Sequence, residues 1–387
     1  MNRAIHNSIS LLAFLIGASV FGGLWTQEAR VTPKVAFLFS DTGSSAAIER
    51  EMKRGAQVFS LKHGGEIDKL SLEYFDNKGT VEGTLTALKK IQNREIRFVV
   101  GLRKGDEALA ASQVAEENEL LFVTPLSMFS KTTLGKKNTF QISGNEVLVG
   151  AALADFAVKD LARKKILILV NQGSVYSQAF SAAFKKAVKT KADIAIEQHV
   201  SSGTDLKLEL LKAQVLKFKP DLIFISDDIS NSAVLAKYIH QTDPFLPFLA
   251  GESFGNESAI KLMLKEVPRI RLYFASFWSP SLKSFENEKF KQGYQELFPN
   301  KKASQEAALT YDALLVFLRA FELTRNEITV DRVRYHLEHQ SFETTQGQID
   351  FKTGPTHSPI RNILIKVTNS SKTKLVKTLR VKWKLEP

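Results

Sequence analysis

From Lys34 onward, short runs of β-branched and aromatic residues alternate with longer stretches in which apolar residues recur every three or four positions. The first kind suits strands buried on both faces and the second suits amphipathic helices laid over them. Together they predict an α/β chain built on parallel sheets with crossover helices. The predicted strands are 35–39, 70–75, 97–101, 120–124, 166–170, 192–199, 222–226, 248–251 and 272–277. Helices are predicted between them at 45–62, 80–93, 105–118, 146–162, 176–189, 206–217 and 230–241. The units fall into two sets, separated by the extended stretch Phe140-Gln141-Ile142-Ser143-Gly144. After Phe277 the pattern changes to helices at 284–297, 304–323 and 330–339, and then to β-like segments at 347–351, 363–367 and 378–384.

The beginning of the chain has a different character. Arg3 and His6 precede an unbroken apolar stretch from Leu11 to Phe21, a charged region followed by a hydrophobic segment of signal-peptide length. Residues 1–25 are therefore expected to be a signal peptide or an N-terminal anchor, and 26–33 a polar connector. This places the chain in the periplasm or otherwise outside the cytoplasm. The chain contains no cysteine, which excludes disulfides, thiolate metal sites, a Cys nucleophile and lipid attachment at an N-terminal Cys.

At 387 residues the chain is long enough for two lobes with cores of their own. Its formal charge of +12 is dispersed, with no basic stripe interleaved with aromatics, so no nucleic-acid partner is expected. The lysines between 372 and 384 alternate with Thr, Leu, Val and Trp, as on an edge strand protected by charge.

In open parallel sheets, ligands sit beyond the carboxyl ends of the strands. The turns there carry recognisable residues: Val35-Ala36-Phe37-Leu38-Phe39-Ser40-Asp41-Thr42-Gly43 followed by Arg54-Gly55-Ala56, then Leu72-Glu73-Tyr74-Phe75-Asp76-Asn77, Val99-Val100-Gly101 and Val123-Thr124-Pro125. Further on come Ala151-Ala152-Leu153-Ala154-Asp155, Val175-Tyr176-Ser177-Gln178-Ala179-Phe180, Ala308-Leu309-Thr310-Tyr311-Asp312-Ala313 and Gly347-Gln348-Ile349-Asp350-Phe351. In order and spacing this set resembles the branched-chain amino-acid (Leu/Ile/Val)-binding proteins, the type I periplasmic binding proteins of ABC transporters.

The resemblance implies a two-lobe fold with three interlobe crossovers, near 142–144, 275–280 and 342–346. Lobe one would be 34–143 plus 278–344, and lobe two 144–277 plus 345–387. It further implies a monomeric, non-enzymatic protein that captures a small polar ligand, amino-acid-like or amine-bearing, by lobe closure, with an ABC permease as partner and with neither cofactor nor metal.

The implied contacts come from both lobes. In the family the turn after the third strand meets the ligand's carboxylate with hydroxyls and amides. Here it holds Arg103, with Gly105 at the family's serine position, and the next turn holds Leu126, Ser127 and Met128. From lobe two, Tyr176 would pack on the ligand and Glu252 would pair with its ammonium; Asp228 stands where the family more often has an aromatic or small residue, but two acids at neighbouring strand ends favour a cationic group.

Two other readings compete. Gly251-Glu252-Ser253-Phe254-Gly255 fits the nucleophile elbow of α/β-hydrolases, with His63-Gly64-Gly65 as an oxyanion motif and His336, His339 or His357 as base. Against it, His63-Gly64-Gly65 ends a predicted helix instead of following a strand. Alternatively, the fold is reused as a sensor or an envelope partner protein. His336 and His339 stand three apart on a helix, but no third metal ligand accompanies them.

Overall fold

The computed structural model describes residues 32–43, 46–64, 70–199, 208–227, 229–255, 257–324, 327–352, 356–369 and 372–380. The leader or anchor expected at 1–25 lies outside them, as does Asp228. No helix among the described residues is long and apolar enough to cross a membrane.

Two sheets organise the chain. The first contains β1 (Lys34–Phe39), β2 (Ser71–Asp76), β3 (Phe98–Gly101), β4 (Leu121–Thr124) and β5 (Thr139–Gln141) in the order β2-β1-β3-β4-β5, all parallel. The second contains β6 (Lys165–Asn171), β7 (Asp193–His199), β8 (Leu222–Ser226), β9 (Phe248–Ala250) and β10 (Arg271–Ser276), parallel in the order β10-β9-β8-β6-β7. Its β10 edge is extended by antiparallel β13 (Asn362–Asn369) and β14 (Lys372–Arg380). The five parallel strands of each sheet follow the same doubly wound order. In each, the direction of strand addition reverses beside the first strand, between β1 and β3 and between β6 and β8. A reversal opens a crevice at the carboxyl ends, because the helices on its two sides lie on opposite faces of the sheet.

The period of two along the strands sorts the core. Val35, Phe37 and Phe39 face Met52 and Ala56 of α1 (Ala46–His63) and the apolar length of α10 (Gln305–Leu323). Ala36 and Leu38 face the opposite way, with Leu88 and Ile91 of α2 (Val81–Asn93) and Ala108 and Ala111 of α3 (Gly105–Glu117). The second sheet repeats the arrangement. Ile166 and Ile168 share a cluster with Leu153 of α4 (Glu146–Asp155) and Phe184 of α5 (Val175–Val188). Leu167 and Leu169 pack with α6 (Leu208–Phe218), α7 (Ile229–Thr242) and α8 (Glu257–Glu266).

The chain crosses between the two halves three times. It passes from β5 into α4, then from β10 into α9 (Phe285–Leu297), which packs with α10 on α1. The last passage follows α11 (Val330–His339) and the hairpin of β11 (Ser341–Thr344) and β12 (Gly347–Asp350), and leads into β13. Buried polar bonds fix the crossings. Asp312 of α10 accepts from Thr345 N (2.8 Å), Thr345 Oγ1 (2.9 Å) and Gln346 Nε2 (2.8 Å).

Three elements differ from the sequence reading. The helix expected over 146–162 is α-helical only to Asp155 and continues as a π turn over Phe156–Asp160. The last strand begins at Lys372, ahead of the expected 378–384, because pairing with β13 sets its register; residues 381–384 lie outside the described residues. β11 was not foreseen. It alternates exposed Ser341 and Glu343 with buried Phe342 and Thr344, but over only four residues.

Candidate functional site

The carboxyl ends of the two sheets meet around Tyr176. Ser174 caps α5 by accepting from Ser177 N, which fixes the first turn and aims the Tyr176 ring toward β9. There the Tyr176 hydroxyl donates to Glu252 Oε2 at 3.1 Å. Burial, joined by the charges of Glu252 and Glu146, raises the phenol's pKa well above its ordinary value. The Glu252 carboxyl is itself pushed up to about 7, mainly by burial and against the lowering effect of the Tyr176 bond and of Arg103.

From the first sheet, α3 faces this pair. A Cβ placed on Gly105 would lie 3.0 Å from Phe129 Cβ and 3.5 Å from Tyr176 Cβ. The glycine therefore lets α3 and α5 approach across the cleft, and a serine at this position would be crowded by Phe129. Most helices near the site carry a side-chain cap, but Lys104 at the start of α3 provides none, so the first amides of α3 are left for an anion or for water.

Leu102 precedes this turn with φ +66, an unfavourable conformation for a bulky residue, and is pinned by its N–H to Leu38 O and by Thr124 Oγ1 donating to its carbonyl. The next residue, Arg103, is half-buried and its Nε is shielded from solvent with no hydrogen-bond partner among the described residues. Its charge acts on Glu49, Tyr176 and Glu252. Lys104 is already engaged, donating to Gly79 O at 2.9 Å and lying 3.3 Å from Glu107. Of the two basic residues in this turn, only Arg103 keeps its donors for something else.

The other expected positions are placed as follows. Leu126 and Met128 are buried in the apolar core. Ser127 is fully buried, and its carbonyl accepts from Ser143 Oγ at 2.7 Å and from the Gln141 amide. That turn is stitched to the first crossover. Asp228 lies outside the described residues, and its neighbour Asp227 accepts from Asn171 Nδ2 at 2.9 Å.

Sequence reasoning missed Glu146, a buried carboxylate that accepts from Ser130 N (2.7 Å) and Ser130 Oγ (2.6 Å) and faces Tyr176 electrostatically. It missed Glu49 as well, buried beside Arg103 and accepting from Ser40 N at 2.6 Å. Both sit in first helical turns, where an acid in the sequence reads only as a complement to the helix dipole.

The elbow-like pentapeptide has a different shape from a nucleophile elbow. Glu252–Phe254 form one 3-10 turn after β9, and the longer helix α8 begins only at Glu257. His63 bonds the Tyr311 hydroxyl at 2.9 Å, and His357 contacts Thr139 O at 3.1 Å.

Comparison with known proteins decides the family. The periplasmic binding protein profile matches residues 32–372. The chain belongs to the periplasmic binding protein family. This binding protein is 26% identical over 256 residues to Leu/Ile/Val-binding protein homolog 3 of Brucella melitensis, covering 64% of the chain and 68% of that relative. In fold it is similar to a leucine-binding protein of Thermotoga maritima, with a TM-score of 0.82 at 20% identity over 90% of this chain and 99% of the other. A solute-binding protein of an ABC transporter from R. palustris, solved with benzoate, superposes with a TM-score of 0.77 at 16% identity, over 90% and 96% of the two chains.

Proposed function

We propose that this periplasmic binding protein captures a small zwitterionic, amino-acid-like solute outside the cytoplasm, by closure of its two lobes, and passes it to an ABC permease. The lobes would be 34–143 plus 278–344 and 144–277 plus 345–387, and the N-terminal segment would serve as leader or anchor. The observation that carries this reading is the pair formed by Tyr176 and Glu252 on the second sheet, approached through Gly105 by the first. Glu252 and Tyr176 supply acceptors for an ammonium group, and a charge pair sealed from water is far stronger than one in solvent.

Arg103 provides the opposite pole. A buried donor without a partner costs about 1–3 kcal/mol, and a ligand carboxylate meeting it would remove that cost. This charge takes the place of the hydroxyl lost at Gly105. Some structural neighbours were solved with aromatic acids, one of them with benzoate. Glu252 favours a solute that carries an amine as well. Closure then follows from ligand contacts to both lobes, which shift the population toward the closed state.

The protein would perform no chemistry, since Ser253 lies in a 3-10 turn instead of a strand-to-helix elbow. A thermal-shift panel of L-amino acids, their carboxamides, simple amines and benzoates tests the proposal. Stabilisation by the zwitterions above both half-ligand sets is expected, and no stabilisation by any member would refute it.

A further inference from the structure

Gln305 takes no part in the site as described above, yet it is 1% exposed and all its polar capacity points at the same place. It is the first residue of α10, the helix that packs on α1. Its Oε1 accepts from Phe277 N at 3.0 Å, and Ser276 Oγ, also 2.9 Å from Trp278 O, lies 3.0 Å away. Its Nε2 donates to Glu252 O at 2.9 Å. The amide orientation is fixed by chemistry, because Phe277 N can only donate and Glu252 O can only accept. No other uncharged side chain of this length offers an acceptor and a donor from one planar group. Gly255 completes the arrangement, since a Cβ there would stand 2.6 Å from Nε2 and 2.7 Å from Cδ of Gln305.

We propose that Gln305 is the positioning residue of the Glu252 anchor, tying the turn that presents the carboxylate to the second interlobe crossover at Ser276–Phe277. A helix rooted in one half of the molecule thereby holds the ligand-facing turn of the other. When the halves move, the turn follows the crossover, and Glu252 stays directed at Tyr176. The inference rests on the reading of Glu252 as a ligand anchor for its functional meaning, but the positioning itself is testable without a ligand.

The experiment follows the Glu252 carboxyl carbon by NMR in the ¹³C-labelled full chain, with Glu252→Gln identifying the signal. Besides Tyr176, the charges acting on Glu252 are Arg103 and Glu306, which the variants leave in place. Two variants disturb the amide from opposite sides. Gln305→Met removes all three bonds at similar length. Gly255→Ala, at a φ of −70° that any residue adopts, pushes a methyl group against the amide. In both, the carboxyl should swing toward water and its midpoint should fall by about one pH unit or more, since burial is what raises it.

A residue that merely fills space would lower thermal stability and leave the midpoint alone. An unchanged midpoint in the variants that fold overturns the proposal, and Gly255→Ala decides it should Gln305→Met fail to fold. The solute panel measured with Glu252→Gln decides the ligand reading separately. An unaltered affinity there would discard Glu252 as anchor without touching the titration result.

Discussion

The Tyr176 hydroxyl lies 3.1 Å from Glu252 Oε2, joining the first turn of α5 to the end of β9 at the mouth of the second sheet. Burial raises the pKa of both groups, while the bond adds to the rise at Tyr176 and opposes it at Glu252, and the cleft thereby holds a carboxylate whose charge depends on what lies beside it. Truncating one partner of a desolvated charge pair typically costs about 2–5 kcal/mol. Glu252→Gln should therefore weaken an amine-bearing solute by roughly thirty-fold or more. Calorimetry checks this, and a solvated Glu252 would instead cost under about 1 kcal/mol.

The same carboxyl makes binding depend on pH. Its pKa of about 7 stands above the ordinary carboxylate value, so below pH 7 it is mostly protonated, and an ammonium ligand must expel that proton. Affinity for an amine-bearing solute should fall up to about tenfold per pH unit below 7 and level off above it. Calorimetry at pH 6.5 in two buffers of different ionisation enthalpy should show proton release on binding. Proton uptake would contradict the assignment.

Arg103 should discriminate at the other pole. Arg103→Met is expected to weaken a zwitterionic solute by roughly tenfold or more and to leave its carboxamide nearly unchanged, because only the carboxylate uses the guanidinium. Equal losses for both ligands would show that Arg103 acts through the fold instead.

Restoring a hydroxyl at Gly105 should harm binding. Gly105→Ser places a Cβ 3.0 Å from Phe129 and 3.5 Å from Tyr176, and overpacking of this kind costs about 1–3 kcal/mol. The cost falls where the halves approach, so affinity should drop more than thermal stability. A tighter-binding Gly105→Ser would show that the cleft closes less than the structure indicates.

The third crossing has its own test. Asp312 accepts three bonds from Thr345 and Gln346 and faces Arg361, and its carboxyl is pushed up to about 6 by burial. Asp312→Ala leaves the buried Thr345 amide and hydroxyl without their acceptor and should destabilise the protein by about 1–3 kcal/mol or more in denaturant unfolding. A loss below about 1 kcal/mol would mean that the crossover is held elsewhere.

Much of this was legible in the sequence, for reasons that can be located. The central strands are continuous apolar runs such as Ile166-Leu167-Ile168-Leu169-Val170, which only a strand buried on both faces explains. Tyr176 and Glu252 stood out through the resemblance to the Leu/Ile/Val-binding proteins, since a tyrosine at a helix start or an acid at a strand end has by itself no such meaning. Glu146, Glu49 and Gln305 did not, because their meaning comes from partners distant in sequence. Glu146 meets Ser130 across the first crossover, and Gln305 meets Phe277 and Glu252. The start of β14 was marked only by the alternation of lysines from 372, because residues 372–378 are exposed on both faces and offer no apolar run.

The central claim, that a solute is held between two closing lobes, is tested most directly by an interlobe distance. The chain has no cysteine, so spin labels at Lys89→Cys on α2 and Lys212→Cys on α6, both exposed, report one distance and nothing else. Pulsed dipolar spectroscopy is then run with and without the panel member that stabilises the protein most. The account predicts a shift to a shorter, narrower distribution on adding that solute, abolished by Glu252→Gln at the same concentration. A distribution that no panel member changes would contradict it.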